Sequence, residues 1–323
     1  SHELVSSVFK KYLNNPLLDQ NDDSAQFELS NKNSRLAITT DSHIVTPLFF
    51  PGGDIGKLAV CGTVNDLAMS GAIPRYLTAG FILEEGLDIS ILERVLESMA
   101  LAAKEADVVI AAGDTKVVEK GKADQIFINT SGIGEIPGST GYISGNNAKP
   151  GDVVILSGSI GDHGIAVMAS RNDLSVEIDV QSDVAPLNKM LQTILENKFE
   201  IHVMRDPTRG GLATSLNEIA CQSRVSIHIY ENNIPIKPAV NAACEMLGFD
   251  PLYVANEGKV IIICPEYHSE KIISLLRSHR YGTDAVVIGR VDSDHPGKVI
   301  LHNIYGTSRL VTMLSGELLP RIC

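Results

Sequence analysis

The chain runs the same local pattern twice, and that constrains its fold most. From Arg35 onward short apolar runs alternate with helical stretches until Lys149-Pro150-Gly151-Asp152, a turn signal; Val153-Val154-Ile155-Leu156-Ser157-Gly158 then begins strand, loop and helix afresh. Helices laid over sheets satisfy such alternation. The 323 residues are enough for two cores of ordinary size. The expected class is α/β (α+β): two domains with mixed sheets, over residues 35–149 and 150–315. Residues 1–34 read as a helix (Leu4, Val5, Val8, Phe9, Tyr12) followed by an Asn/Asp/Ser-rich loop, and 316–323 as a mobile tail.

Within the first domain, Arg35-Leu36-Ala37-Ile38-Thr39-Thr40 predicts a strand ending at Asp41. Ile91, Leu92, Val95, Leu96, Met99 and Ala103 fall at helical spacing, Val108–Ala112 predicts a short buried strand, and Gln125–Thr130 another. The second half predicts a helix over Gly211–Ser223, a strand over Val260–Cys264 and a helix over Glu266–Ser278.

Composition removes several function classes. The net charge is −12, which argues against nucleic-acid and anionic-membrane surfaces. Tryptophan is absent and aromatics make up 5%, leaving little material for base stacking. Five scattered cysteines (Cys61, Cys221, Cys244, Cys264, Cys323) form neither a zinc spacing nor a disulfide framework and suit a reducing compartment. No apolar run approaches a membrane span, so a soluble, cytoplasmic protein is expected. Cys61, Cys221, Cys244 and Cys264 lie in apolar settings and are expected to be buried and inert.

Four segments carry candidate chemistry. Asp41, Asp66 and Asp114 are read as strand-end carboxylates, the hard oxygen donors that Mg²⁺ takes, although each also suits a helix cap or a turn. Ser157-Gly158-Ser159-Ile160-Gly161-Asp162-His163-Gly164 lies between a strand and an apolar helix, where backbone N–H groups can hold phosphate; it is neither a Walker nor a dinucleotide motif. Asp206-Pro207-Thr208-Arg209-Gly210-Gly211 offers a guanidinium fork before a helix, or a capped loop in which Arg209 pairs Asp206. Asn256-Glu257-Gly258-Lys259 brings a carboxylate that is a general base or a solvated turn residue.

The last residue is Cys323, at the end of Gly316-Glu317-Leu318-Leu319-Pro320-Arg321-Ile322-Cys323. Gly316 and Pro320 oppose a helix, so the tail reads as an extended arm with a reach of roughly 25 Å, or as a frayed end with an incidental thiol.

Taken together, Asp41, the loop Pro51-Gly52-Gly53-Asp54-Ile55-Gly56-Lys57 and Asn65-Asp66-Leu67-Ala68-Met69-Ser70-Gly71-Ala72 resemble the PurM-like ATP-binding superfamily of aminoimidazole-ribonucleotide synthetase, selenophosphate synthetase and thiamine-phosphate kinase. Gly113-Asp114-Thr115-Lys116-Val117-Val118, Asp206–Gly211, Asn256–Lys259 and the terminal Pro320-Arg321-Ile322-Cys323 resemble its hydrogenase-maturation carbamoyl dehydratases. The likeness runs from Arg35 to Cys323, while the glycine-rich opening segment usual in the superfamily has no counterpart here.

The resemblance implies a homodimer formed through the N-terminal domain, with ATP bound between the domains and across the dimer. It implies that Asp41, Asp66 and Asp114 hold Mg²⁺, that Lys57 and Asn65 lie near the phosphates, and that Thr115, Gly158, Gly161, His163, Asp206 and Arg209 complete the nucleotide site. The implied reaction is ATP-dependent dehydration of an S-carboxamide on Cys323 to an S-cyanate, with Glu257 as base or proton relay and Lys116 at the developing charge. The implied partners are a HypF carbamoyltransferase as donor and a HypC–HypD iron scaffold as cyanide acceptor for [NiFe] hydrogenase. Two other readings stay open: a relative phosphorylating a free small substrate, in the manner of selenophosphate synthetase, and a non-enzymatic maturation scaffold whose tail is a docking peptide.

Overall fold

The computed structural model describes residues 20, 22–28, 34–171, 179–314 and 322. The helix expected near Leu4–Tyr12 lies outside the described residues, as does Cys323.

The first sheet comprises β1 (Ala25–Glu28), β2 (Ser34–His43), β5 (Ile73–Glu84), β6 (Val109–Val118) and β7 (Ile126–Pro137) in the order β1-β2-β7-β5-β6. All neighbours are antiparallel except β5 and β6, which run parallel. A small hairpin of β3 (Phe49–Phe50) and β4 (Gly53–Asp54) leads into α1 (Ile55–Met69). The amphipathic α2 (Ile89–Ala106) follows β5 and covers the same face of the sheet as α1. Period-two burial along β7 sorts the faces: Ile126, Ile128, Thr130, Gly132 and Ile136 turn inward, while Asn129, Ile133 and Glu135 turn outward.

The second sheet has seven strands: β8 (Asp152–Leu156), β9 (Val203–Arg205), β10 (Ser226–Tyr230), β11 (Ile261–Pro265), β12 (Val286–Asp292), β13 (Lys298–His302) and β14 (Ser308–Val311), ordered β14-β13-β10-β12-β8-β11-β9. Only β10 and β13 are parallel. Its helices are α3 (Asp162–Ala169), α4 (Asn188–Glu196), α5 (Gly211–Ser223), α6 (Pro238–Leu247) and α7 (Glu266–Arg277). Val154 and Leu156 face α5, whereas Val153 and Ile155 face α4 and α7, so β8 is buried on both sides. Both sheets are mixed, as the sequence predicts.

Four readings change. Ala25–Glu28, expected in a linker, forms an edge strand on β2. Val108–Ala112, expected as a short buried strand, falls in an edge strand, Val109–Val118, that is exposed along nearly its whole length among the described residues. Asp41 and Asp114 lie within β2 and β6, and Asp66 lies within α1, so none of the three is a strand end. Helix α1 is packed on nearly every side, between the first sheet and the second domain, and so shows no apolar stripe. Cys61, Cys244 and Cys264 are buried as expected, but Cys221 on α5 is exposed. No helix among the described residues is long and apolar enough to cross a membrane.

Candidate active site between the domains

Where the inner face of the first sheet meets the second domain, acidic side chains converge. Thr39 and Asp41 are two residues apart on β2 and share a face. A Cβ at Gly62 of α1 would come within 3.2 Å of Asp41 Oδ2, so glycine there leaves the carboxylate room. One helical turn on, Asp66 Oδ2 accepts a hydrogen bond from Thr39 Oγ1 at 2.9 Å. The second domain adds Asp206 and Arg209 from the loop before α5, and Glu257 from the loop before β11. Arg209 lies 3.7 Å from Asp41 Oδ1, so it pairs with Asp41. Arg205, at the end of β9, is buried against Asp23 at 3.1 Å and Glu218 at 3.2 Å.

The buried acids of this cluster raise one another's carboxyls. Burial, reinforced by Asp206, Asp41 and Asp23, holds the Asp66 carboxyl well above the usual carboxylate range. Burial also raises Asp23, against the pull of Arg205. Asp206 is pushed up to about 6, chiefly by burial, with Arg205 opposing and Asp41 adding to the rise. Glu257 is raised well above its ordinary value by burial and then by Asp206, Asp41 and Asp183. Such a cluster gains from a cation, and its donors are the hard oxygens that Mg²⁺ prefers. Among the described residues no three His, Cys, Asp or Glu side chains already stand as a metal cage. The match is therefore one of charge and donor chemistry.

A hydrogen-bonded frame fixes Glu257. Asp183 accepts from the backbone N–H groups of Glu257 (3.1 Å) and Gly258 (3.3 Å) and pairs with Lys259 at 3.3 Å. A Cβ on Gly258 would lie 1.8 Å from the Asp183 carbonyl oxygen, so only glycine permits this approach. Asn65 of α1 donates to the carbonyls of Ala185 (3.0 Å) and Glu257 (3.3 Å) and accepts from Leu187 N–H at 2.8 Å.

Several expected ligands therefore sit elsewhere. Asn65 is buried and committed to backbone partners, so it pins the domains together rather than facing phosphate. The glycine-rich loop is no open anion cradle: Gly161 N–H donates to Asn256 Oδ1 at 2.7 Å, Ile160 N–H to Pro235 O and Gly164 N–H to Ala255 O, while Gly158 lies under Lys259. His163 is buried, with Nδ1 2.8 Å from Ser182 Oγ and Nε2 2.6 Å from the Ile322 carbonyl oxygen. Lys57 reaches back to the Gly52 carbonyl at 3.1 Å, at the rim.

Asp114 is also displaced. It shares a ladder row with Gly80, Asn129 and Ser42, three strands from β2, on the outward face, whereas Asp41 points inward. That separation is about 14 Å, so the two cannot share an ion within one chain. Asp114 pairs instead with exposed Lys116 at 3.0 Å and accepts from Thr115 N–H at 2.9 Å. Asp22, Asp23 and Asp183 were missed in the sequence. The adjacent acids Asp22-Asp23 were the available signal, hidden inside a stretch whose composition reads as loop.

Two domains with a shared acidic cleft define the class: the families described as AIR synthase related protein, N-terminal and C-terminal domains, match residues 21–136 and 149–302. Carbamoyl dehydratase HypE of Azotobacter vinelandii is 51% identical over 321 residues, covering 99% of this chain and 93% of that protein. The Escherichia coli K12 protein of the same name is 43% identical, covering 99% and 95%. The chain belongs to the HypE carbamoyl dehydratase family. A structure of a HypE–HypF complex superposes with a TM-score of 0.90 at 50% identity, covering 96% of this chain and 99% of that one. HypE in complex with ATP gives 0.86 at 49% identity, with 100% and 96% covered. Thiamine monophosphate kinase of Aquifex aeolicus, at 0.67 and 20% identity, shares the fold alone.

Proposed function

We propose that this chain converts a carbamoyl group carried on its own C-terminal cysteine into a cyanate at the expense of ATP, for delivery as cyanide to a [NiFe] hydrogenase iron centre. The observation that carries this reading is the seat of Ile322. The residue next to Cys323 is buried against the first domain, pairs with Val45 and bonds to His163 of the second. Ile322 itself thus lies where the two domains meet, one residue short of the proposed reacting thiol.

An amide oxygen is a poor leaving group. Transfer of the γ-phosphoryl group to the carboxamide oxygen gives S–C(=NH)–O–phosphate with loss of one N–H proton. Loss of phosphate with the second proton then leaves S–C≡N. Glu257, buried and held by the Asp183 frame, would accept these protons. Asp23, Asp41, Asp66 and Asp206 would hold Mg²⁺, which supplies charge neutralisation for the phosphates. Lys57 borders the nucleotide at the rim, and Arg209, beside Asp41, orients its acidic partner. A tethered substrate brings the advantage of proximity.

Asp114, Thr115 and Lys116 enter from a second copy. The outward face of the first sheet carries the row Ile38, Ile133 and Tyr76, together with Ile82 and Val109, all exposed. A patch of this kind supports dimerisation through the N-terminal domain. A HypF-type carbamoyltransferase is the donor, as the HypE–HypF complex of a relative suggests, and a HypC–HypD-type iron scaffold the acceptor.

Intact-mass spectrometry after incubation with the carbamoyltransferase and carbamoyl phosphate tests the reading. A carbamoyl-sized gain on Cys323, followed by loss of one water only with MgATP, is expected. An unchanged Cys323 beside an active partner would reject it in favour of a free-substrate kinase.

A further inference from the structure

We propose that the Ser308 hydroxyl is an activated nucleophile, an acceptor for small activated acyl groups, prepared by a hydrogen-bonded row that runs through His302 and His228 to Asp294. The row lies at the β14 edge of the second sheet, the opposite edge from β9, whose following loop carries Asp206.

Strand ends build the site. His228 lies on β10, on the face opposite Ile227 and Ile229, which are buried against α5. His302 ends β13 and is the ladder partner of Ser308, the first residue of β14. Asp294 comes from the turn after β12. Asn303 N–H donates to Thr307 O at 3.0 Å, so alternation along the antiparallel pair makes His302 and Ser308 a non-hydrogen-bonded pair, whose side chains approach most closely. Asn303 Oδ1 braces the turn between them, accepting from Tyr305 N–H and Thr307 N–H, each at 3.0 Å. Strand β14 ends the sheet among the described residues, so the Ser308 N–H points to an open edge, where it can receive the oxyanion of an attacked carbonyl.

The carboxylate fixes the direction of the row. Asp294 Oδ1 lies 3.0 Å from His228 Nε2, His228 Nδ1 2.9 Å from His302 Nε2, and His302 Nδ1 2.9 Å from Ser308 Oγ. Ser226 first, then His228 and His295, hold the Asp294 carboxyl below its usual range, so it is ionised and only accepts. With both rings neutral, His228 carries its proton on Nε2 and accepts at Nδ1. His302 then donates from Nε2, and its Nδ1 is left to accept from the Ser308 hydroxyl. Burial, then His228 and Arg290, lower the basicity of His302 against the pull of Asp294. The Tyr230 ring flanks it, centroids 5.4 Å apart. Asp292 and Lys298 lie beside Ser226 on the same face, while Arg309 of β14 faces the other way and pairs with Asp250. Every donor in the row thus points from the serine toward the carboxylate, the order that readies a hydroxyl for attack.

Ser308 lies open on the edge, so the site takes a small activated acyl donor, an aryl ester or an acyl phosphate, rather than an enclosed substrate. Ser308 Oγ attacks the carbonyl carbon while its proton passes to His302 Nδ1. The bond to Ser308 forms as the bond to the leaving oxygen breaks, and that oxygen departs with the proton from His302. A proton taken up beforehand reverses the row: His228 donates at both nitrogens, His302 Nε2 accepts, and its Nδ1–H faces Ser308, which loses its base.

The full chain is treated with p-nitrophenyl acetate at about pH 7.5, and the acetyl group is placed by peptide mass mapping, with Ser293, exposed in the neighbouring turn, as internal reference. Acetylation of Ser308 is expected about 10²-fold faster than that of Ser293. His302→Phe keeps a ring beside Tyr230 and removes the base, so Ser308 should fall to the rate of Ser293. Asp294→Asn should slow Ser308 by about tenfold or more. Equal rates at the two serines of the unsubstituted chain would overturn the proposal, as would the parent rate at Ser308 in either variant with unchanged circular dichroism. Where a variant fails to fold, the unsubstituted chain decides through its pH profile. A rate that rises and levels off by about pH 8 follows loss of one proton from the row; a rate that keeps rising about tenfold per pH unit is hydroxide chemistry and rejects the site.

Discussion

At the scale of single residues, Asp206 and Glu257 show how burial sets chemistry. Asp206 is pushed up to about 6, so between its ordinary range near 4 and that value the folded, metal-free chain keeps a proton that the unfolded chain has lost. Its contribution to metal-free stability therefore falls as pH rises through that window, while its readiness to bind a cation grows. The thermal shift on adding Mg²⁺ should accordingly be larger at about pH 7.5 than at about pH 5.5, and equal shifts would remove Asp206 from the metal set. Asp206→Asn takes one charge out of the repelling cluster; the metal-free chain should gain about 1 kcal/mol in denaturant unfolding and lose its response to Mg²⁺. Glu257→Gln keeps the side-chain size and loses the proton acceptor. Dehydration of a preloaded Cys323 should slow by about 10²- to 10⁴-fold, with ATP binding retained in calorimetry. The sequence made Glu257 and Asp206 visible as acids beside glycine turns. It could not show that they face each other, because that proximity arises only when the loop before α5 and the loop before β11 fold onto the same end of the sheet.

At the scale of elements, α1 does the joining. Its first turn is capped by Asp54, whose carboxylate accepts from the N–H groups of Gly56 and Lys57, and its C-terminal third carries Asn65 and Asp66, which face different partners. Asn65→Ala removes three buried hydrogen bonds to residues 185, 187 and 257. A loss of about 2–4 kcal/mol in urea unfolding is expected, together with slower dehydration, since the Glu257 loop is released; a change within 0.5 kcal/mol or so would refute the pin. Helices α2, α5 and α7 were legible because each has one wet face and hence a 3.6-residue period. Helix α1 was not, because burial on nearly every side erases that period, and its aspartate was read as the end of a strand. The glycine-rich segment misled for a related reason: Gly158 and Gly161 do mark close approach, but to Lys259 and Asn256 rather than to an anion.

At the scale of the whole molecule, the outward face of the first sheet carries an exposed apolar row, and Asp114 and Lys116 lie on the sheet's edge strand. Ile133→Asp at the centre of the Ile38–Ile133–Tyr76 row should convert a dimer to a monomer in sedimentation and lower dehydration with it. Equal mixing of inactive Lys116→Ala and Glu257→Gln chains should restore about a quarter of the parent activity if each site draws on two copies, and none if it does not. The two-domain plan was readable from the restart of the pattern at Lys149–Asp152. A homodimer was expected only through the family resemblance; the residues alone do not mark its surface, because exposed apolar residues alternate along a strand just as core residues do. The seat of Ile322 also bears on how the molecule completes a cycle. Its side chain belongs to an apolar cluster that both domains share, so Ile322 leaves only by being extracted from apolar surroundings, a step worth about 2–3 kcal/mol. That is a bias of roughly thirty- to 150-fold toward the seated residue. Whatever draws Ile322 out must therefore offer it apolar contact of comparable extent.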